Sequence, residues 1–218
     1  MLTIEVICEG VPSPLFVKSF TSFLEEKYNK KIDHIDYRYK DGMKWDFEVM
    51  RICFSDGSSK KIDRWFNPYR NIWIKHLMSR PSCYNCVFAK KQRVADITLG
   101  DLWGVHLYCQ DLYNKNKGAS LIVANTTKGN NVVSKLSELM VIRELDLNEA
   151  IKYQSPMRKT IDSNPDRDKF IQDLTVLNYK DLIKKYYDKP TVKLLYSKYI
   201  YGNKQKVFLY NTFKNHFK

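Results

Sequence analysis

At 218 residues the chain is long for one domain and short for two, and it can bury a sizeable core without disulfide or metal staples. Hydrophobic residues at 44% and charged residues at 28% are ordinary for a globular protein, and no run approaches the roughly 18 apolar residues that span a bilayer. The net charge of +13 is unusual and uneven: residues 180–218 hold ten Lys against Asp181 and Asp188, which is +8 of the total.

In chain order, Leu2–Ile7 reads as a buried strand that ends at Cys8. Ser13-Pro14 starts a helix, with Ser as N-cap and Pro at its first position, and Phe16, Phe20, Phe23 and Leu24 carry the helical spacing to about Tyr28. Cys8 therefore lies where a strand hands over to a helix N-terminus, a place that favours negative charge.

Ile32–Tyr39 alternates like a half-exposed strand, and Asp41-Gly42 signals a hairpin. In the next strand Phe47, Val49, Arg51 and Cys53 form one face, and Glu48, Met50, Ile52 and Phe54 the other. Asp56-Gly57 is a second turn, and Lys60–Asp63 closes a small antiparallel meander. Asn67-Pro68 opens a helix to about Met78, with Ile72, Trp73 and Leu77 toward the core.

Cys83 and Cys86 form a C-x-x-C pair on the following loop, Ala95–Leu99 reads as a short buried strand, and Gly100–Gly104 is a turn carrying Asp101 and Trp103. Residues 110–118 are a polar loop. Ser120–Asn125 is a buried strand, and Lys128-Gly129 begins a helix to about Met140. Further elements are a strand over Val141–Leu145, a short helix over Asn148–Tyr153, and helices from Asp166 to Leu174 and from Asn178 or Tyr179 to before Pro190. The pattern predicts an α+β (mixed α/β) fold: a mixed sheet with an inserted antiparallel meander, flanking helices and a basic helical tail. Residues 1–175 are expected to form the main domain and 176–218 a basic, aromatic-rich tail.

The N-terminal MLTIEVICEG has no basic start and no small-residue cleavage site, so we expect no signal peptide and a cytoplasmic setting. Five cysteines, an odd number, argue against a disulfide framework and leave metal ligation or burial. A C-x-x-C pair is half of a zinc site, and the four histidines show no H-x3-5-H pairing, so a zinc-stabilised interaction module and a thioredoxin-like redox pair stay open beside iron–sulfur ligation. Cys53, in mid-strand, reads as a small buried apolar residue. Cys109, just after the GDLWG turn, is the spatially plausible extra ligand. The Lys/Tyr/Phe-rich tail reads as a helical segment that packs its aromatics on the body, with a basic nucleic-acid or anionic-surface binder as the alternative.

Four segments come in one order: CEGVPSP at Cys8–Pro14, RPSCYNC at Arg80–Cys86, ADITLGDLWG at Ala95–Gly104, and KGASLIVANTTKG at Lys117–Gly129. Together they resemble the C-terminal domain of the beta subunit of coenzyme F-420 hydrogenase/dehydrogenase, most closely the bacterial branch found near polysaccharide genes, over roughly residues 3–175. The resemblance implies an iron–sulfur flavoprotein oxidoreductase that passes electrons between a 4Fe-4S cluster, FAD and a diffusible carrier. Nucleic acid is not the expected partner, because the tail's aromatics are expected to pack on the body. It implies Cys8, Cys83 and Cys86 as three cluster ligands. The fourth is expected from an N-terminal half or a ferredoxin-like subunit, because the chain begins seven residues before Cys8, and a redox partner protein is implied as well. On the flavin side the candidates are Asp96, Gly100, Asp101, Trp103 and Lys117. Each has a structural alternative: a loop hydrogen bond for Asp96, backbone conformation for Gly100, a core edge for Asp101 and Trp103, and solvation for Lys117. No catalytic residue is assigned.

Overall fold

The structure is a computed structural model that describes residues 1–40, 49–109, 111–112, 118–202, 205, 209 and 212–213. The expected Asp41-Gly42 hairpin, the first residues of the strand after it and Lys117 lie outside the described residues. The fold is mixed α+β, as the element pattern predicts. One sheet has the order β1 (Ile4–Val6), β5 (Ile97–Asp101), β6 (Ser120–Ala124); the other is β2 (Ile32–Tyr39), β3 (Val49–Phe54), β4 (Ser59–Ile62). β1 runs parallel to β5 in the register Ile4↔Ile97, and β5 is antiparallel to β6, so the first sheet is mixed. A parallel pair needs a long crossover. Here that crossover carries the whole antiparallel meander β2–β3–β4, inserted as expected.

The helices are α1 (Pro14–Tyr28), α2 (Pro68–Ile74), α3 (Pro81–Tyr84), α4 (Val105–Tyr108), α5 (Thr127–Leu136), α6 (Leu147–Ala150), α7 (Arg167–Val176), α8 (Tyr179–Tyr186) and α9 (Val192–Leu195). Among the described residues none is long and apolar enough to cross a membrane. The larger core lies between α1, α2, α7, α8 and one face of the meander. Phe16, fully buried, stacks on Tyr69 at 5.4 Å and meets Phe170 at 5.7 Å and Tyr179 at 5.5 Å. The i, i+4, i+8 triplet Phe16, Phe20 and Leu24 makes the buried stripe of α1, while Met50, Ile52 and Phe54 supply the inner face of β3. α8 belongs to this core through Tyr179, Leu182 and Tyr186, so the lysine-rich C-terminal stretch starts as a packed amphipathic helix. Farther on, the Tyr199 hydroxyl donates to Asp63 Oδ2 at 2.5 Å and Lys198 lies over the Trp65 ring, which brings the tail's polar tips back to the body. A smaller core joins Leu102, Val105, Cys109, Leu121, Ile151 and Met157.

Several local expectations change. The first strand is an exposed edge: Ile4 and Val6 are 56% and 65% exposed, because β1 has β5 on one side only. The helix opened by Asn67 stops at Ile74, and His76 takes a left-handed φ of 55° that no helix continues through. α5 stops at Leu136 rather than near Met140. Val141–Leu145 has no regular structure, and Val141 is exposed rather than paired to the sheet. β4 sits one residue earlier than expected.

Candidate functional site

The segment leaving β1 stays extended beside β5, with the Ile7 amide donating to the Leu99 carbonyl at 2.8 Å. Side chains along extended backbone alternate between two sides. Val6, Cys8 and Gly10 accordingly line one cavity, and Ile7 and Glu9 line another. Pro156 touches both.

The first cavity, of about 70 Å³, is where the cysteines meet: Cys8, Cys83 and Cys86 all face it, with Phe88, Arg93 and Lys159 around them. The two cysteine loops are tied together just behind it. Pro12 and Ser79 form an isolated antiparallel bridge, and the Arg80 amide donates to the Val11 carbonyl at 3.0 Å. α3 then turns Cys83 inward, its amide donating to the Arg80 carbonyl at 2.9 Å. Gly10 has a φ of 108°, open to glycine at little cost, and a Cβ there would press on Ser79 Oγ at 3.3 Å. In this geometry the Gly10 amide donates to Cys8 Sγ at 3.4 Å. Tyr84, within the C-x-x-C pair, donates its hydroxyl to the His76 carbonyl and accepts from Arg167 Nε at 3.1 Å. Arg93 is held by Glu5 at 2.8 Å and donates to the Phe88 carbonyl at 2.6 Å. Burial alone would raise the Glu5 carboxyl, but the hydrogen bonds from Thr98 and Arg93 outweigh it and hold its pKa below the ordinary value.

The second cavity, of about 430 Å³, lies between the end of β5, β2, α2 and the turn at Tyr153–Pro156. Its walls are aromatic, from Tyr37, Tyr69, Trp73, Trp103 and Tyr153, and it carries Arg38, Arg70 and Asp101. Arg38 Nη1 donates to Asp101 Oδ2 at 2.7 Å and its guanidinium lies over the Trp103 ring at 5.6 Å. Arg70 sits over Trp73 at 5.0 Å. Buried Gln154 donates Nε2 to the Asp101 carbonyl at 2.5 Å, fixing the strand end from below. Burial, with Tyr37 adding to it, pushes the Tyr69 hydroxyl well above its usual pKa, so it stays a protonated donor in the wall. A slot of this size, with planar walls and with Arg38 and Arg70 set against Glu9 and Asp101, suits a flat ring with polar edges.

The structure thus gathers Cys8, Cys83 and Cys86 on one cavity and Asp101 and Trp103 on the other. Gly100 lies beneath Ile7: a Cβ there would sit 2.6 Å from Ile7 Cδ1, so the glycine leaves room for the Ile7 side chain to lie over β5. Asp96 is at the opposite end of β5. Its carboxylate accepts from the Thr3 amide and hydroxyl at 2.9 Å each and from the Thr126 hydroxyl at 2.7 Å, and pairs with Lys128 at 3.1 Å. Cys109 is buried in the smaller core rather than at the cysteine cavity, and burial raises its thiol pKa. Cys53 is half-exposed on the outer face of the meander rather than buried as a small apolar residue, because the inner face is filled by its neighbours Ile52 and Phe54. Sequence reasoning missed Tyr37, Arg38, Tyr69, Arg70, Trp73 and Gln154. The aromatic–arginine alternation Tyr37-Arg38-Tyr39 was a usable signal; nothing in the sequence marked Gln154.

A family model that describes the C terminus of the coenzyme F420 hydrogenase/dehydrogenase beta subunit matches residues 1–150. Comparison with curated proteins finds no match, and neither does comparison with solved structures.

Proposed function

Because this chain belongs to the family formed by the C-terminal part of the coenzyme F420 hydrogenase/dehydrogenase beta subunit, we propose that it is the cofactor-holding part of an iron–sulfur flavoprotein oxidoreductase. In this reading it passes electrons between a 4Fe-4S cluster, FAD and a diffusible carrier. The observation that carries the reading is the pair of cavities back to back across residues 6–10, one lined by three thiols and the other by aromatic rings and guanidiniums. When bound, a cluster supplies one-electron transfer and a flavin couples it to two-electron chemistry.

The residues present fit both groups. Cys8, Cys83 and Cys86 would ligate the cluster, and the Gly10 amide already donates to Cys8 Sγ, the kind of bond that tunes a cluster's potential. Arg93, paired with Glu5, and Lys159, paired with Asp162, line the same cavity as the thiols. On the other side Trp103 and Tyr153 would flank a ring, Asp101 holds Arg38 in place, and Arg38 and Arg70 would offset charge gained on reduction. Gly100 leaves room for Ile7 over β5; Asp96 anchors the far end of the same strand; Lys117 is assigned to the flavin's phosphates. The fourth cluster ligand is assigned to an N-terminal half or ferredoxin-like partner, consistent with a family of beta subunits that work within larger complexes. Residues 1–175 would form the cofactor unit, since both cavities are lined by residues up to Ile161, and residues 176–218 would be its basic extension.

Anaerobic reconstitution of the chain with ferrous iron, sulfide and FAD, in the presence of the proposed ferredoxin-like partner, tests this. Brown protein with bound flavin that bleaches on reduction is the expected result. Colourless protein without iron, or one zinc per chain in place of iron, contradicts it.

A further inference from the structure

A second group of ligand-type side chains lies away from both cavities, on the outer face of the meander. His34, Asp36 and Cys53 each offer a donor atom, and these atoms all lie within 4.8 Å of one another. The strand register explains the convergence. His34 is paired with Cys53 and Asp36 with Arg51 across the antiparallel β2–β3 ladder. Directly opposed residues share a face, and residues two apart along a strand share it too. The opposite face carries Ile35 and Ile52 into the core, so the four polar side chains stand together on the outside.

The register also slips between Ile32 and His34, leaving Asp33 as an extra residue in β2. Neighbours along a regular strand point to opposite sides; a bulge re-aims one of them. Here Asp33 Oδ2 lies 2.7 Å from His34 Nδ1. An ionised carboxylate only accepts, so Nδ1 donates and the lone pair is on Nε2, which is 3.9 Å from Asp36 Oδ2. A carboxylate behind a histidine whose other nitrogen faces further donors is the arrangement that orients histidine ligands. Arg51 bonds Asp36 through Oδ2, at 2.8 and 2.6 Å, and its guanidinium stacks 3.8 Å from the Tyr39 ring, so it is held rather than swinging across the site.

We propose that His34, Asp36 and Cys53 bind a zinc ion on the outer face of the β2–β3 ladder, with Asp33 orienting the imidazole. The donor set selects the metal: imidazole and thiolate are poor ligands for magnesium or calcium, which take oxygen, and suit zinc's mixed N/O/S preference. The charges close as well, since two aspartates and a thiolate are balanced by a dication and Arg51. Three protein ligands leave one tetrahedral position, and it opens to solvent because the His34 side chain is 53% exposed. The site is therefore an exchangeable one, whose fourth position takes water or a donor from another molecule.

Alkylation of the intact chain by iodoacetamide, followed residue by residue by mass spectrometry, separates this site from the other cysteines. Zinc sulfate is expected to slow modification of Cys53 by about tenfold or more, because the bound thiolate is no longer a free nucleophile. His34→Gln and Asp36→Asn should lose that protection with far-UV circular dichroism unchanged. Asp33→Asn should raise the zinc concentration required by about 10–100-fold, the usual effect of losing an orienting carboxylate. Equal Cys53 alkylation with and without zinc, or protection that survives His34→Gln, overturns the proposal. An unshifted zinc requirement in Asp33→Asn overturns the orienting role.

Discussion

Ile7 and Cys8 are neighbours in the chain, and they face different cavities. Ile7 closes the aromatic cavity from the β5 side; Cys8 faces Cys83 and Cys86 on the other. The extended backbone that gives this alternation is held by the Ile7 amide on the Leu99 carbonyl, and the Ile7 side chain fills the space above Gly100. Gly100→Val should therefore disturb both cavities at once. Its Cβ alone would lie 2.6 Å from Ile7 Cδ1. The expected result is lower iron uptake together with weaker flavin binding, read by iron analysis and flavin fluorescence, where a change confined to one of them would place Gly100 outside this relationship.

Arg38 connects Asp101 and Trp103 through a charge-assisted hydrogen bond and a ring contact. At this partly exposed pair the bond contributes only ~0.2–1 kcal/mol to folding, whereas Arg38 faces the proposed ring site directly, so Arg38→Ala should weaken flavin binding by about tenfold or more while thermal stability changes little. Titration followed by flavin fluorescence quenching gives the comparison.

Gly129 lies in the first turn of α5 against β5, where a Cβ would collide with the Asp96 carbonyl oxygen. Alanine favours a helix over glycine by about 1 kcal/mol. Here overpacking against backbone, typically ~1–3 kcal/mol, opposes that gain and should win. Gly129→Ala is expected to lower the urea midpoint.

The same corner sets an acid limit. Hydrogen bonds from Thr126 and from the Thr3 amide outweigh desolvation and hold the Asp96 carboxyl far below its ordinary pKa, with Lys128 and the Thr3 hydroxyl adding to the effect. An unfolded Asp takes up its proton near pH 4, so between there and the lower folded value the unfolded chain binds more protons. This contribution to stability is complete above about pH 4 and falls as pH drops further. Asp96→Asn should flatten that part of the stability–pH curve, measured by denaturant unfolding at stepped pH.

Much of this was legible in the chain. The Ser-Pro start of α1 gave an element with the observed bounds, because local signal and burial agree there; β2 has the expected bounds too, although two register shifts break the alternation of its burial. Cys8, Cys83 and Cys86 could be grouped only through the family pattern, since a thiol 75 residues away from a C-x-x-C pair gives no local sign of meeting it. The aromatic cavity was only half visible. Asp101 at the end of β5 and Trp103 in the turn after it belong to the recognisable GDLWG stretch, whereas Arg38, Arg70 and Gln154 reach the cavity from elements whose packing depends on long-range contacts. Val141–Leu145 failed for the converse reason: an apolar run predicts a strand only if a sheet edge is there to take it. The helix from Tyr179 and the packing of its aromatics were legible too, because Tyr179, Leu182 and Tyr186 keep the spacing of a buried helix face among the lysines. Leu182 is fully buried, so Leu182→Ala should cost about 2–5 kcal/mol in chemical denaturation, as for any core leucine, despite its basic surroundings.

The central claim is that the three thiols of the small cavity form one cluster site. Iron and acid-labile sulfide should be counted after anaerobic reconstitution of the chain with ferrous iron and sulfide in the presence of the proposed ferredoxin-like partner, alongside Cys8→Ser, Cys83→Ser and Cys109→Ser. Equal iron and sulfide in the parent and in Cys109→Ser, with both lost in Cys8→Ser and in Cys83→Ser, is the predicted result. Iron and sulfide retained in full by Cys8→Ser would contradict it.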